Sequence, residues 1–444
     1  MHFNRTRVSV AVVGCGTVGG ATVAVLTRDR APIAARSGVE LNLAYVVEKN
    51  AAQAEKAGVD RAIVTDNLEP ALNDGAVRIV VELVGGTGIA REIVEKSLRA
   101  GKHVVTANKA LLAKHGPELF AIARENAVSL AFEASCGGGI PIVRALYDGL
   151  IANEIEAIYG IVNGTCNYIL SKMITDGESY AEALADAQEI GLAEADPGLD
   201  VGGIDSAHKI AIMGALAFGQ RVAFDSIPVV GIDSLDLTDV LFAQRLGYVV
   251  KLLAVAEKRG GDVSLRVEPA FIGEQHPLAW VSGPFNAVSV YGNRTGHTMY
   301  YGRGAGGSPT ASAVVADVVS IATGVYERFF DRCAHWPDRA VESPILPLDD
   351  TATRFYIRTN VTDSPGTLAQ IAAIFGRHGI SIASVHQDEI ADEAAETVVP
   401  VVVTLHTARR ISAKQAVAEI DALSTTGDRS TIIPIVDEHA ECVS

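Results

Sequence analysis

Basic charge is scarce in this 444-residue sequence: 37 Lys and Arg face 53 Asp and Glu, a formal net charge of −16. No block of Lys and Arg forms the basic patch a nucleic-acid binder needs, so no nucleic-acid partner is expected. Cysteine is scarce too. The five, at 15, 136, 166, 333 and 442, have no metal-ligand spacing. Their odd number fits a reducing compartment. No apolar run approaches the ~18 residues of a membrane span. The polar stretch Met1 to Arg7 lacks a signal-peptide pattern. A cytoplasmic protein without a membrane partner is therefore expected.

What is present is apolar residue and glycine. Hydrophobic residues make up 48% and charged ones 20%, enough to bury large cores. The 42 glycines cluster in short runs, which suits turns at ligand sites more than a fibrous repeat. The length predicts two to four domains.

Strand-like runs at 8–13, 41–47, 79–84 and 103–106 alternate with helical patterns at 19–28, 51–57, 91–100 and 118–125. This rhythm predicts a doubly wound parallel sheet, an α/β fold of Rossmann type, over residues 1–141. Helical patterns at 142–151, 168–173 and 180–190 and a β-rich stretch at 249–302 predict an α+β domain over 142–308. Residues 309–327 read as one helix packing back on the first domain. Prolines 337, 344 and 347 among acidic residues mark 337–349 as a linker. Residues 350–440 run strand, helix, strand, strand, helix, strand, a ferredoxin-like module.

Gly14-Cys15-Gly16-Thr17-Val18-Gly19 is a G-x-G-x-x-G that follows a buried-type strand and opens a helix. In that context the glycines let the backbone approach a pyrophosphate, and the helix start offers free N–H groups. The second strand ends at Glu48 and Lys49. Glu48 would accept from a ribose 2′-OH and favour NAD. Lys49 would pair with a 2′-phosphate and favour NADP. Charge alone does not choose between them.

Asp205 and Lys209 are four apart, on one face of a segment that is apolar all round from Ile210 to Phe218. A charged pair on a buried helix costs desolvation energy and commonly lines a site. A surface ion pair is the plainer alternative. Just upstream, Glu194, Asp196 and Asp200 crowd one loop. That loop is either solvated or a place to hold a substrate ammonium.

Five ordered strings resemble the homoserine dehydrogenase family across roughly residues 8–325. They are Thr106-Ala107-Asn108-Lys109, Glu133-Ala134-Ser135-Cys136-Gly137-Gly138-Gly139-Ile140-Pro141, Asn163-Gly164-Thr165-Cys166-Asn167, Ala193-Glu194-Ala195-Asp196-Pro197 and Gly302-Arg303-Gly304-Ala305-Gly306-Gly307. The resemblance implies reduction of L-aspartate semialdehyde to L-homoserine with NAD or NADP. Lys209 would be the acid that protonates the alkoxide, with Asp205 orienting it or the substrate. Lys109, between nicotinamide and substrate, is the competing proton donor. Glu194 would hold the substrate ammonium, and Gly164 and Thr165 would line its pocket. Gly85 and Gly304 join the glycine loop as cofactor contacts. The Glu133 carboxylate and the carbonyls of Cys136, Gly138 and Ile140 would hold a monovalent cation, sodium by family habit. Two positions depart from the family pattern: Cys136 replaces a small aliphatic residue, and His208 stands where arginine is common.

The tail, with Asp363-Ser364-Pro365-Gly366 turning strand into helix, resembles an ACT domain. Such modules pair with a copy of themselves, which implies a homodimer or higher homo-oligomer. Threonine is the expected effector, and a purely dimerising module is the alternative. Three rival readings are weaker. A sugar dehydrogenase has no use for the 194–209 segment. A semialdehyde dehydrogenase needs a nucleophilic cysteine in other surroundings. A non-catalytic sensor has no need of Lys109, Glu194, Asp205 and Lys209.

Overall fold

The computed structural model describes residues 6–388, 398–437 and 439. The first six strands, β1 (Thr6–Val13), β2 (Val39–Val47), β3 (Val64–Thr65), β4 (Val77–Glu82), β5 (His103–Thr106) and β6 (Leu130–Ala131), form one sheet in the order β3-β2-β1-β4-β5-β6. Every neighbouring pair is parallel. β1 and β4 are apolar along most of their length because helices cover both faces. The strand order reverses between β1 and β4, and a crevice opens there at the carboxyl ends of the strands.

Of the helices that differ from their sequence patterns, two differ most. The helix expected at 118–125 begins at Lys109 and runs through Pro117 to Glu125. Asn108 caps it by accepting from the Leu111 N–H, and Gly116 gives Pro337 room to pack. The helix expected at 309–327 is two, Gly307–Ala322 and Val325–Arg332, bent by 85°. Gly324, at φ +74°, makes the break. The first of the pair lies against the helix Thr17–Arg28, and Gly307 sits on the Thr17 carbonyl.

The second sheet is continuous across two modules. Strands Gly296–Arg303, Phe285–Gly292, Ile155–Ile161, Tyr248–Arg259 and Asp262–Gly273 are antiparallel neighbours in that order. The next strand, Thr431–Val436, belongs to the C-terminal module and pairs parallel with Asp262–Gly273 through Phe271 and Ile272. Beyond it come Ala352–Thr362, Val398–Leu405 and Ile382–Gln387. Residues 337–349 are not a free tether. Val341–Glu342 pairs with Gln220–Arg221, and the Leu346 N–H reaches the Val263 carbonyl.

Ion pairs reinforce this joint. Arg410 grips Glu268 with both terminal nitrogens, at 2.8 and 2.7 Å, and all of these groups are buried. Arg358 and Tyr356 likewise converge on buried Asp239.

Among the described residues, no single helix is long and apolar enough to cross a membrane.

Candidate active site

Two cavities meet above the carboxyl ends of β1 and β4 and share Leu83 and Val84. The larger, about 560 Å³, is walled by Gly14, Gly16, Glu48, Lys49, Asn67 and Lys96. The other, about 390 Å³, is walled by Val18, Gly85, Lys109, Glu194, Asp200 and Asp205. Together they make a cleft with the glycine loop at one end and the charged helix at the other.

The glycines of the loop have different jobs. A side chain on Gly14, at φ +91°, would lie 2.8 Å from the Leu83 carbonyl, and one on Gly19 would lie 2.0 Å from the Gly14 carbonyl. Those two are needed by packing. Gly16 faces open space, where a ligand can approach the backbone. The helix that starts at Thr17 has no side-chain cap, so its first N–H groups remain open to an anion. Glu48 does face this cavity, but its carboxylate also accepts from the Cys15 N–H at 2.7 Å and the Asn50 N–H at 2.9 Å. Gly85 adopts φ +83° beside β4. The buried Glu82 carboxylate takes the N–H groups of Val84 and Gly85 and the Thr106 hydroxyl, at 2.6 Å. Thr106 in turn accepts from the Asn108 N–H, and the Asn108 amide reaches the Gly86 carbonyl. Glu82 thus ties both walls of the cleft together. It carried no motif signal in the sequence.

At the far end, the helix Ile204–Phe218 places Asp205 and Lys209 one turn apart, both buried. Lys209 Nζ lies 2.6 Å from Asp205 Oδ2 and 2.5 Å from the Val162 carbonyl. Lys109, first residue of its helix, brings its Nζ to 2.9 Å from Asp205 Oδ1. One carboxylate therefore serves two ammonium groups. Burial pushes the Asp205 pKa upward, but Lys209 and Lys109 outweigh it and hold it below the usual range. Burial works to lower the Lys109 pKa, and the attraction of Asp205 overrides it, raising the pKa above the ordinary value. The two lysines differ in position: Lys109 lines the cavity, whereas Lys209 stands behind Asp205.

The acidic loop contributes unequally. Glu194 is exposed on the cavity rim. Asp200 is half-buried, and Asn163 bonds both it, at 2.7 Å, and Asp205, at 3.0 Å. Burial raises the Asp200 pKa. Asn163 and Asp200 are brought to Asp205 only by folding. Gly164 and Thr165 make their contacts behind this wall: a side chain on Gly164 would meet the Pro284 carbonyl, and the Thr165 hydroxyl donates to the Leu192 carbonyl. Gly304 also acts indirectly. A side chain there would fall 1.8 Å from Asn286 Nδ2, which donates to the same Val162 carbonyl that receives Lys209.

Of the expected cation ligands, Glu133 is buried, and its two oxygens accept from the N–H groups of Val143 and Arg144. The Ile140 carbonyl accepts from Ile142, and Gly138 packs against the Gly304 carbonyl. Burial, helped by Asp317, pushes the Glu133 pKa up to about 8.

His208 stacks on Phe224 with ring centroids 4.5 Å apart, and its Nε2 is buried with no hydrogen-bond partner among the described residues. Burial, with the nearby lysines, lowers its pKa to about 4 against the attraction of Asp205. The folded protein therefore binds this proton less readily than the unfolded chain, and acidification through the window from about 6.5 down to 4 favours unfolding. The expected loss is on the order of 2 kcal/mol across that window. In denaturant titrations, His208→Gln is expected to flatten the slope of stability against pH there. An unchanged slope would show that His208 is protonated in the fold.

A glycine-loop cleft ending on paired lysines and a carboxylate defines a dinucleotide-dependent oxidoreductase. A family model described as the NAD binding domain of homoserine dehydrogenase matches residues 14–133, the homoserine dehydrogenase model matches 141–319, and an ACT domain model matches 355–425. The chain is 42% identical over 435 residues to a homoserine dehydrogenase of Neisseria gonorrhoeae, covering 97% of this chain and 99% of that one. A crystal structure of a homoserine dehydrogenase from Thiobacillus denitrificans superposes with TM-score 0.91 at 40% identity, covering 97% and 99%. A hyperthermophilic archaeal homoserine dehydrogenase in complex with NADPH matches 71% of this chain and 97% of its own, at 27% identity and TM-score 0.59. The chain belongs to the homoserine dehydrogenase family.

Proposed function

We propose that the cleft reduces the aldehyde of L-aspartate 4-semialdehyde to L-homoserine in the order dinucleotide, carbonyl, lysine pair. The observation that carries this reading is the Asp205 carboxylate shared by Lys109 and Lys209 at the inner end of the cleft. The nicotinamide, when bound, supplies hydride to the aldehyde carbon. The chain supplies the rest. The glycine loop and the start of its helix hold the pyrophosphate, Gly85 keeps the wall open beside it, and Gly304 acts from behind by leaving room for Asn286. Glu194 on the rim takes the substrate ammonium, and Gly164 and Thr165 shape the pocket from behind.

Lys109 meets the cavity with a raised pKa, so it serves as a fixed positive charge for the developing oxyanion. Lys209 is the proton donor. Two of its N–H groups are held by Val162 and Asp205, and the third has no acceptor among the described residues. Dinucleotide oxidation assays with aspartate semialdehyde, run separately with NADPH and NADH, test the reaction and the Glu48/Lys49 choice together. No turnover with either sinks the proposal.

The monovalent-cation site belongs to the same proposal. Glu133 and Asp317 are two buried carboxylates near a single arginine, Arg144, 3.5 Å from Asp317. A cation held by Glu133 and by the carbonyls of Cys136, Gly138 and Ile140 would draw the raised Glu133 pKa back down and keep its carboxylate ionised. Replacing sodium by choline is expected to lower the wild-type rate several-fold, and Glu133→Gln is expected to be insensitive to the exchange. Equal rates for the wild type in both salts would remove the cation.

Two wider readings accompany it. The outer strand Gly296–Arg303, with Tyr301 and Met299 exposed, supports a homodimer along that edge. Cys15, Cys136, Cys166 and Cys333 are free thiols, which suits a protein of the cytoplasm; Cys442 lies outside the described residues. The ACT module is the candidate regulatory part, with threonine as effector.

A further inference from the structure

Glu82 ends β4 and Thr106 ends β5, and the two are partners in the parallel register, so their side chains stand on one face of the sheet. Glu82 is fully buried, yet it belongs to the wall of the cavity that holds Lys109 and Asp205. Among the described residues, its hydrogen bonds all come from neutral donors: the Val84 N–H at 2.8 Å, the Gly85 N–H at 3.1 Å and the Thr106 hydroxyl at 2.6 Å. A buried carboxylate without a counter-charge is costly to keep, and such groups concentrate at functional sites.

The donors lead away along two arms. The first is the segment 83–86. Leu83 and Val84 are the stretch common to the dinucleotide cavity and the lysine cavity. The Leu83 N–H donates to the Val13 carbonyl, and the Leu83 carbonyl stands 2.8 Å from where a side chain on Gly14 would fall. This arm is therefore packed on the glycine loop. The second arm is Thr106, whose oxygen accepts from the Asn108 N–H at 3.0 Å. Asn108 caps the Lys109 helix through the Leu111 N–H at 3.1 Å, and its amide returns to the Gly86 carbonyl at 2.6 Å. The circuit closes on the first arm and fixes the residue before Lys109.

We propose that Glu82 is a positioning residue for the reduction: acting through Thr106 and Asn108, it holds Lys109 in register with the dinucleotide. The proposal rests on the reductase reading above. A carboxylate suits the task where an amide does not. Both of its oxygens accept, so one takes the backbone N–H groups while the other takes the Thr106 proton and leaves that hydroxyl oxygen free for Asn108. A glutamine would turn its NH₂ either on the N–H groups of Val84 and Gly85 or on Thr106, and one arm would lose its acceptor.

Steady-state kinetics with aspartate semialdehyde, together with fluorescence titration of NADPH and NADH, test this. Glu82→Gln is expected to lower kcat at least about tenfold and to weaken dinucleotide binding by about three- to tenfold, because both arms meet at this carboxylate. Thr106→Val, a change of the same size that cuts only the second arm, is expected to lower kcat at least about tenfold and raise KM, with dinucleotide affinity within about threefold of wild type. It carries the test if Glu82→Gln does not fold. Thr106→Ser keeps the hydroxyl and is expected to recover most of the rate. In a Lys109→Ala background, Thr106→Val is expected to cost less than about twofold, since the group it positions is gone. Wild-type kcat in Thr106→Val, or losses that simply multiply in the double variant, overturns the proposal and leaves the reductase reading standing. A wild-type chain that binds dinucleotide but reduces no aspartate semialdehyde overturns both.

Discussion

Lys209→Ala is expected to lower kcat by roughly 10²–10⁴-fold while the dinucleotide dissociation constant stays within about threefold of wild type. Lys209 lies at the substrate end of the cleft, behind Asp205 and far from the glycine loop, so the cofactor half has no reason to respond. Lys109→Ala should behave differently. It removes a cavity-wall charge whose pKa is raised by Asp205, so KM rises along with the fall in kcat. Single-turnover rates with both variants separate the two roles. A near-normal rate for Lys209→Ala, with the large loss in Lys109→Ala, would move proton donation to the lysine that lines the cavity. Lys209→Arg is a useful companion, since it keeps the charge beside Asp205 but gives up its proton far less readily.

Arg410→Ala is expected to loosen the ACT module from the reductase at a cost of about 3–5 kcal/mol. The size follows from what is left behind. Glu268 would remain buried with Arg266 as its arginine partner, and the packing of the Arg410 guanidinium over Phe355, at 5.4 Å, would be lost. Among the described residues, two residue pairs, Phe271 with Ile435 and Ile272 with Val436, join the strands at this joint. Denaturant unfolding should therefore show the module's transition moving to lower concentration. Limited proteolysis should find residues 337–349 more readily. If neither changes, the strand pairing and the Asp239 cluster hold the module without Arg410.

Local pattern made some of this legible and folding made the rest. The strand into Gly14, the helix out of it and the i,i+4 pair Asp205 and Lys209 were readable because each depends on neighbours within a turn or a strand. Pro117 and Gly324 show the limits of that reading. A proline suggests a boundary, yet a capped helix passes through it where Gly116 packs on Pro337. A helix-like run can also hide a sharp corner at a glycine in left-handed conformation.

The sequence by itself determined the chemistry available: a dinucleotide loop, two lysines, an acidic loop and a small ACT module, each marked by short-range order. Only the tertiary structure decided how they act together. It put Lys109 on the same carboxylate as Lys209, brought Asn163 to Asp200 and Asp205, set Glu82 across the two walls of the cleft, and joined the ACT module to the reductase in one sheet. These contacts link residues far apart in the chain. Their energy comes from burial and charge pairing, which no local periodicity records.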